Sequence, residues 1–491
     1  MIILYLLTVI ALAYCWVKRR YSYWKLRGVP CVEPSFPLGN LGQLGRKHVG
    51  LINQDVYEQL KASGKKFCGM FFFLRPMALV LDLDFVRNVM VKDFQYFHDR
   101  GLYYNDEVEP INSHLVSLEG TRWKNLRAKL TPTFTTGKMK MMFPTITAVA
   151  DEFVKCLTTA ALNGREVEMK DFLARYTTDV IGNCAFGLDC NSLKDPEAEF
   201  RVMGRKAVIP TRSQFLRRMF SSSFRALAGM LRVRTIDVDV SEFFMNAVRH
   251  TIEYREKHNV QRNDFMNLLM QLKLGPSEQN ELTFKEIAAQ AFVFFLAGFE
   301  TSSSTLSYCL YELAHNPGLQ DKARRNVEEI LAQHDSMTYE AVHEMKYIEN
   351  CINESLRKYP PFMTIIRQVT ENYYVPDMNV TLEKGHGLII SVHAIHNDPR
   401  YYPDPDKFDP ERFSPEEVAR RHPMAFIPFG EGPRICIGLR FGMMQACIGL
   451  AYLLKHFRFS LSPKMELPLK TVPTTIVSNS EGGLWLNVEP L

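Results

Sequence analysis

Apolar residues run without a charge from Met1 to Val17, and Lys18, Arg19 and Arg20 follow at once. A run of this length sits at the short end of what crosses a bilayer, roughly 17–25 residues. A cleaved leader has basic residues before its apolar stretch and a small-residue cleavage site after it. Neither is present, so the sequence predicts a retained N-terminal anchor over residues 1–20. The positive charge comes after the run, which puts the remainder of the chain in the cytosol. On that side Asn353-Glu354-Ser355 and Asn379-Val380-Thr381, both glycosylation patterns, stay unmodified. Residues 21–40 are basic and proline-rich and read as a stiff, extended connector. Residues 41–491 carry the folded domain.

Two short runs, Gly69 to Leu74 and Met77 to Leu81, read as strands of a hairpin around Arg75-Pro76. Most of the chain beyond Leu81 has helical periodicity. The clearest helix opens at Thr283, with Glu286 completing a capping box, and runs to His315 before Asn316-Pro317. Within it Ala297-Gly298-Phe299-Glu300-Thr301 and the hydroxyls after it are poor helix material, and an interruption is expected there; the alternative is a slightly kinked core helix with its hydroxyls bonded back to carbonyls. Further helices fit Pro317 to His334, Thr338 to Lys358 and Leu439 to Leu454. Leu388 to Val392 reads as a strand, and Asp398 to Pro433 as an ordered meander. The fold class is mainly α with a smaller β part.

The chain has 491 residues, of which 46% are hydrophobic, so it can bury a large core. A net charge of +5 is too small to suggest nucleic acid, but it suits an anionic membrane or an acidic partner. The ten cysteines show no paired spacing, which argues against disulfides and structural zinc.

The stretch Phe429-Gly430-Glu431-Gly432-Pro433-Arg434-Ile435-Cys436-Ile437-Gly438 carries the most chemistry. Cys436 stands just before a helix N-terminus, where free N–H groups and the helix dipole favour a metal-binding thiolate. Gly438 lets backbone approach a flat ligand. Arg434 offers a planar fork for a carboxylate. Taken alone, a buried inert cysteine would be the commoner case. That reading leaves the phenylalanine, two glycines and the arginine at fixed offsets unexplained.

Phe429, Gly432, Arg434, Cys436 and Gly438 resemble the FxxGxRxCxG loop of the cytochrome P450 superfamily. The resemblance implies a P450 fold, with a long central helix over haem b, and Cys436 as the iron ligand with Phe429 packed beside the sulfur. Glu354 and Arg357 resemble the family's ExxR pair, and Arg412 would join them in a structural ion network. Trp123 and Arg127, four apart on one helical face, resemble the pair that meets a haem propionate. Arg367 stands where the family places another propionate-binding arginine. The 297–301 segment resembles the family's oxygen-binding AGxET motif. By that likeness Ala297 leaves space above the iron, Thr301 orients a proton donor, and Glu300 links the proton path to solvent.

By position in the family pattern, Leu115, Val293, Leu296, Phe362 and Ile366 are candidates for the substrate pocket. Phe97 to Gly101, Leu130 to Phe134 and Ala185 to Leu188 resemble the insect branch that includes the family-6 detoxifying enzymes. No dinucleotide fingerprint is present, so electrons must come from a separate protein. The resemblance implies an NADPH–cytochrome P450 reductase carrying FAD and FMN, with cytochrome b5 as a second candidate donor, at the endoplasmic reticulum membrane. Arg440 is a candidate for the docking face. Between Arg201 and Arg234 every charged residue is basic, and a solvated face and a contact with lipid headgroups fit equally.

The expected activity is insertion of one atom of O2 into apolar small molecules such as insecticides or plant toxins. An endogenous hormone or lipid substrate is the alternative within that chemistry. An oxygen-independent haem-thiolate isomerase and a non-catalytic haem-binding protein are alternatives of other classes. The acid–alcohol pair Glu300 and Thr301 argues against the isomerase, and the full set of motifs against the inert protein.

Overall fold

The computed structural model describes residues 1–273 and 282–491. Ile2–Tyr21 form a 20-residue helix with no buried side chain, and it is long and apolar enough to cross a membrane. The 21–40 stretch does not stand free of the domain as a connector would. Trp24 is fully buried, and its indole N–H donates to the Met70 carbonyl at 3.2 Å. A Cβ at Gly69 would lie 2.2 Å from the Trp24 ring, so the junction is a tight packing contact.

Among the described residues, nine strands form three sheets: β1 (Phe67–Phe72), β2 (Arg75–Val80), β3 (Glu166–Glu168), β4 (Ile365–Gln368), β5 (Tyr373–Val375), β6 (Val380–Leu382), β7 (Gly387–Ile390), β8 (Phe457–Leu461) and β9 (Trp485–Pro490). Their orders are β1-β2-β7-β4, β3-β9-β8 and β5-β6. The first hairpin turns at Phe73-Leu74, not at Arg75-Pro76. Pro76 sits second in β2, ahead of the Met77–Leu79 stretch that also pairs with β7, where its missing N–H is tolerated. The later strand ends at Ile390, and Val392 opens a short helix to His396.

The central helix, Phe284–His315, begins with the expected capping box of Thr283 and Glu286 and spans 32 residues, about 48 Å. It is not interrupted at 297–301. Thr301, Thr305 and Ser307 donate their hydroxyls back to the carbonyls of Ala297, Thr301 and Ser303, at 2.6, 2.9 and 2.5 Å. Polar groups satisfied in this way have no need to open the ladder. Gly298 serves packing: a Cβ there would meet Ile181 at 2.6 Å on the crossing helix Met169–Ile181.

The helix expected over Thr338 to Lys358 is two, Tyr339–Glu344 and Lys346–Lys358, with the fully buried Met345 at the break. The preceding helix, Pro317–Leu331, stops short of His334. The meander holds short turns at Pro410–Phe413, Pro415–Arg420 and Pro423–Ala425.

Much of the basic run from Arg201 to Arg234 is neutralised internally. Arg201 pairs with Asp171, Lys206 with Asp239, Arg217 with Asp237 and Arg225 with Glu119. The same region exposes apolar side chains instead, among them Leu216, Phe224, Leu227, Met230 and Leu231.

Candidate haem-thiolate site

The cysteine loop is a set of tight turns leading into the helix Leu439–His456. The Cys436 N–H donates to the Phe429 carbonyl at 2.9 Å, and Phe429 is half-buried beside it. Gly432 has φ +72°, and a Cβ on it would stand 2.0 Å from the Met90 carbonyl oxygen, so only glycine fits.

Burial raises the Cys436 thiol pKa, and the Gly438 N–H with the Arg127 and Arg100 guanidiniums only partly oppose it. The helix terminus pulls towards the thiolate, as the sequence predicts, and burial outweighs it. A metal cation would make the thiolate, because a coordinating thiol is deprotonated outright. Although enclosed by protein, Cys436 has accessible surface, so it faces a cavity. Ala297 is likewise accessible in the middle of the central helix, between half-buried Leu296 and Gly298. Phe134 joins the two sides: its ring packs on Phe294 at 5.2 Å and lies 4.0 Å from where a Gly438 Cβ would be. Gly438 thus leaves open space beside the cysteine.

Guanidiniums gather at this cavity. Arg434 donates to the carbonyls of His98 (2.7 Å) and Leu118 (2.9 Å) and lies over the buried Trp123 ring at 4.0 Å. Arg127 donates to the Ile435 carbonyl at 2.9 Å, and Arg367 donates to the Ile366 carbonyl at 3.0 Å. Arg100 joins them, donating to the Val116 carbonyl at 2.9 Å. Burial first, then mutual repulsion, pushes Arg434 down to about 8, Arg367 to about 9 and Arg100 to about 10. Guanidinium does not surrender its proton in proteins, so these shifts mark unmet demand for anions.

The Asp99 carboxylate, 3.5 Å from Arg434, is a poor counterweight. Arg434 Nη1 and Arg367 Nε are buried without a partner. No cluster of three or more His, Cys, Asp or Glu that could hold a metal occurs among the described residues. A metal at Cys436 must therefore bring the rest of its ligands with it. A flat metal macrocycle with two carboxylates fits the thiol, the open Gly438 and the orphaned guanidiniums.

The structure brings Glu354, Arg357 and Arg412 together elsewhere. Glu354 accepts both Arg357 Nε (2.7 Å) and Nη2 (2.9 Å), lies 3.5 Å from Arg412 Nε, and accepts the Asp409 N–H at 2.9 Å. Arg357 also donates to the carbonyls of His396 and Pro405, tying the meander to the Lys346–Lys358 helix.

On the central helix, Thr301 is half-buried. Glu300 does not reach solvent as expected: it is 5% exposed, with Lys170 Nζ at 3.0 Å and Asn479 Nδ2 at 2.8 Å. Burial acts to raise its pKa, but Lys170 and Asn479 outweigh burial and hold the carboxylate below its usual range. Of the pocket candidates, Leu115 and Val293 are buried and Leu296 and Ile366 half-buried, while Phe362 is 43% exposed. The Leu115 N–H is held by Gln290 of the central helix at 2.9 Å.

The cytochrome P450 family profile matches residues 30–486. The chain belongs to the cytochrome P450 family. Among curated relatives, probable cytochrome P450 6a14 of Drosophila melanogaster is 44% identical over 498 residues, covering 98% of each chain. Cytochrome P450 6a2 of the same fly is 45% identical over 503 residues, covering 99% of each. Cytochrome P450 6A1 of Musca domestica is 44% identical over 499 residues, covering all of this chain and 98% of its own. This P450 is therefore a haem b monooxygenase of a family that uses O2 and NADPH-derived electrons through a reductase and acts on hydrophobic substrates.

The sequence reading missed Arg100, Lys170 and Asn479. Arg100 lies in the Phe97–Gly101 stretch, but a single loop arginine carries no periodicity that would reveal its direction. Lys170 and Asn479 reach Glu300 from 130 and 179 positions away.

Proposed function

We propose that this P450 is a microsomal detoxifying monooxygenase that oxidises apolar foreign compounds such as insecticides or plant toxins. The observation that carries the reading is a reactive-site thiol facing the same cavity as four under-compensated guanidiniums. Haem b, when bound, supplies the activation of O2, one atom of which enters the substrate while the other leaves as water.

This chain's own residues do the rest. Cys436 would hold the iron, and Arg100, Arg127, Arg367 and Arg434 would bind the two propionates. Ala297 leaves room for oxygen. Thr301 donates its own proton to the Ala297 carbonyl, which leaves its oxygen as an acceptor that orients a water. Glu300 takes protons by way of Lys170, whose half-buried ammonium also donates to Ser303 at 2.8 Å. Leu115, Val293, Leu296 and Ile366 shape an apolar pocket, with Phe362 at its margin.

Electrons arrive from an NADPH–cytochrome P450 reductase carrying FAD and FMN, with cytochrome b5 as a second donor, on a face that includes Arg440. The anchor helix holds the domain at the endoplasmic reticulum. Leu216, Phe224, Leu227, Met230 and Leu231 make a second, apolar contact with the bilayer, the lipid-facing one of the two readings the sequence leaves open for this region.

The test is the carbon monoxide difference spectrum of the dithionite-reduced protein in membranes. A Soret maximum at the long wavelength diagnostic of thiolate ligation is expected, and its loss in Cys436→Ala assigns the ligand. A well-folded protein that takes up no haem overturns the reading. With reductase present, oxidation of model insecticides supports the xenobiotic role, and exclusive turnover of a hormone or lipid refutes it.

A further inference from the structure

Asp99 is the carboxylate that reaches into the arginine cluster. Its side chain is 13% exposed and lies 3.5 Å from Arg434 Nη2. Asp99 Oδ1 accepts the Gly120 N–H at 2.8 Å and stands 2.7 Å from His98 Nδ1. The Asp99 backbone carbonyl accepts the Gln368 N–H at 2.8 Å. The residue is therefore fastened at two places that matter to the cluster. Gly120 opens the helix that carries Trp123 and Arg127, and Gln368 comes directly after Arg367 in β4. A carboxylate tied in this way keeps its charge at a fixed place beside the guanidiniums.

Two carboxylates act on Arg434, Asp99 and Glu119. Glu119 stands 2.9 Å from Arg225, so its charge is largely answered there. Asp99 meets no lysine or arginine outside the cluster among the described residues. Two propionates answer two of the four guanidinium charges, and Asp99 answers one of the two left over. Arg434 and Arg367 are 3% and 2% exposed, so the leftover charge is poorly screened by solvent. Reduction of haem adds an electron to the site. A fixed positive charge nearby favours that step, and a fixed anion opposes it.

We propose that Asp99 sets the haem reduction potential, holding it down by cancelling one of the two positive charges that the propionates leave unanswered. It works by its charge and its place beside Arg434, not by contact with the reacting atoms. The electron itself comes from the reductase. This inference rests on the propionate reading of the four arginines.

A spectroelectrochemical titration of the haem-loaded protein, with mediators and without reductase, tests it. Asp99→Asn keeps an acceptor for the Gly120 N–H and removes the charge. It should favour reduction about tenfold, a rise of roughly 59 mV for one electron. Asp99→Glu should return the potential towards the wild-type value. Asp106→Asn removes an exposed acid, paired with Arg122, a few residues further on, and screening should leave the potential unchanged. Haem transfer from Asp99→Asn to apomyoglobin should be no faster than from the wild type, because the propionates lose a competitor. An unchanged or lower potential in Asp99→Asn, an equal rise in Asp99→Glu, or faster haem loss from Asp99→Asn would each overturn the proposal and leave Asp99 a structural tie. Haem held as firmly in Arg367→Leu and Arg434→Leu as in the wild type would instead strike the propionate reading.

Discussion

The molecule contains two arginine clusters that answer to opposite rules. Around Glu354, one carboxylate meets Arg357 and Arg412, and the remaining Arg357 donors go to backbone carbonyls. Around Arg434, four guanidiniums gather with the Asp99 carboxylate 3.5 Å from Arg434, and Arg434 Nη1 and Arg367 Nε are buried without a hydrogen-bond partner. The first gives its carboxylate and Arg357 bonded partners within the chain, with Arg412 Nε alone short of an aligned bond, and fixes the meander against the Lys346–Lys358 helix. The second is complete only when something anionic arrives. An ion network that closes on itself is architecture, and one left open in a buried place is a binding site.

The comparison breaks hardest at Glu354. Glu354→Ala leaves the fully buried Arg357 without its partner and should destabilise the domain by about 3–5 kcal/mol with or without haem, read by thermal unfolding. Arg367→Leu should behave in the opposite sense in the haem-free protein, raising or leaving its stability while weakening haem retention. Loss of one charge-assisted contact of about 1.5–3 kcal/mol predicts haem transfer to apomyoglobin faster by roughly ten- to a hundredfold. Equal destabilisation of both variants in the haem-free state would erase the distinction.

A pH series sharpens it further. His396, whose carbonyl accepts from Arg357, is fully buried, and burial pushes its pKa down to about 3. The unfolded chain protonates near 6.5, so unfolded binds more protons than folded as pH falls below that value. Stability from this group is therefore complete above about pH 6.5 and falls by roughly 1.4 kcal/mol per pH unit towards 3. Denaturant midpoints measured between pH 7 and 5 should decline, and His396→Asn should flatten that slope. The Arg434 cluster does not titrate in this range. Haem loss should consequently accompany unfolding and not precede it.

How much of this was legible beforehand depends on the distance over which each interaction acts. The capping box of Thr283 and Glu286, and the Glu354–Arg357 pair three residues apart, are local and could be read directly. The hydroxyls after Ala297 were misread as a break because their back-bonds to carbonyls compete invisibly with opening the helix. The turn at Phe73-Leu74 was displaced to Arg75-Pro76 because proline signals a turn only where its missing N–H matters.

By itself the sequence determined the apolar N-terminal helix, the mainly α fold, the cysteine loop and the family to which this chain belongs, because these rest on contiguous pattern and fixed spacing. Only the tertiary structure decided that Glu300 answers to Lys170 and Asn479, that Arg100 joins the Arg434 cluster, and that burial opposes a spontaneous thiolate at Cys436. Each of these is set by burial and by charges brought together from distant positions, and Coulomb energy depends on separation in space and local dielectric, not on separation along the chain.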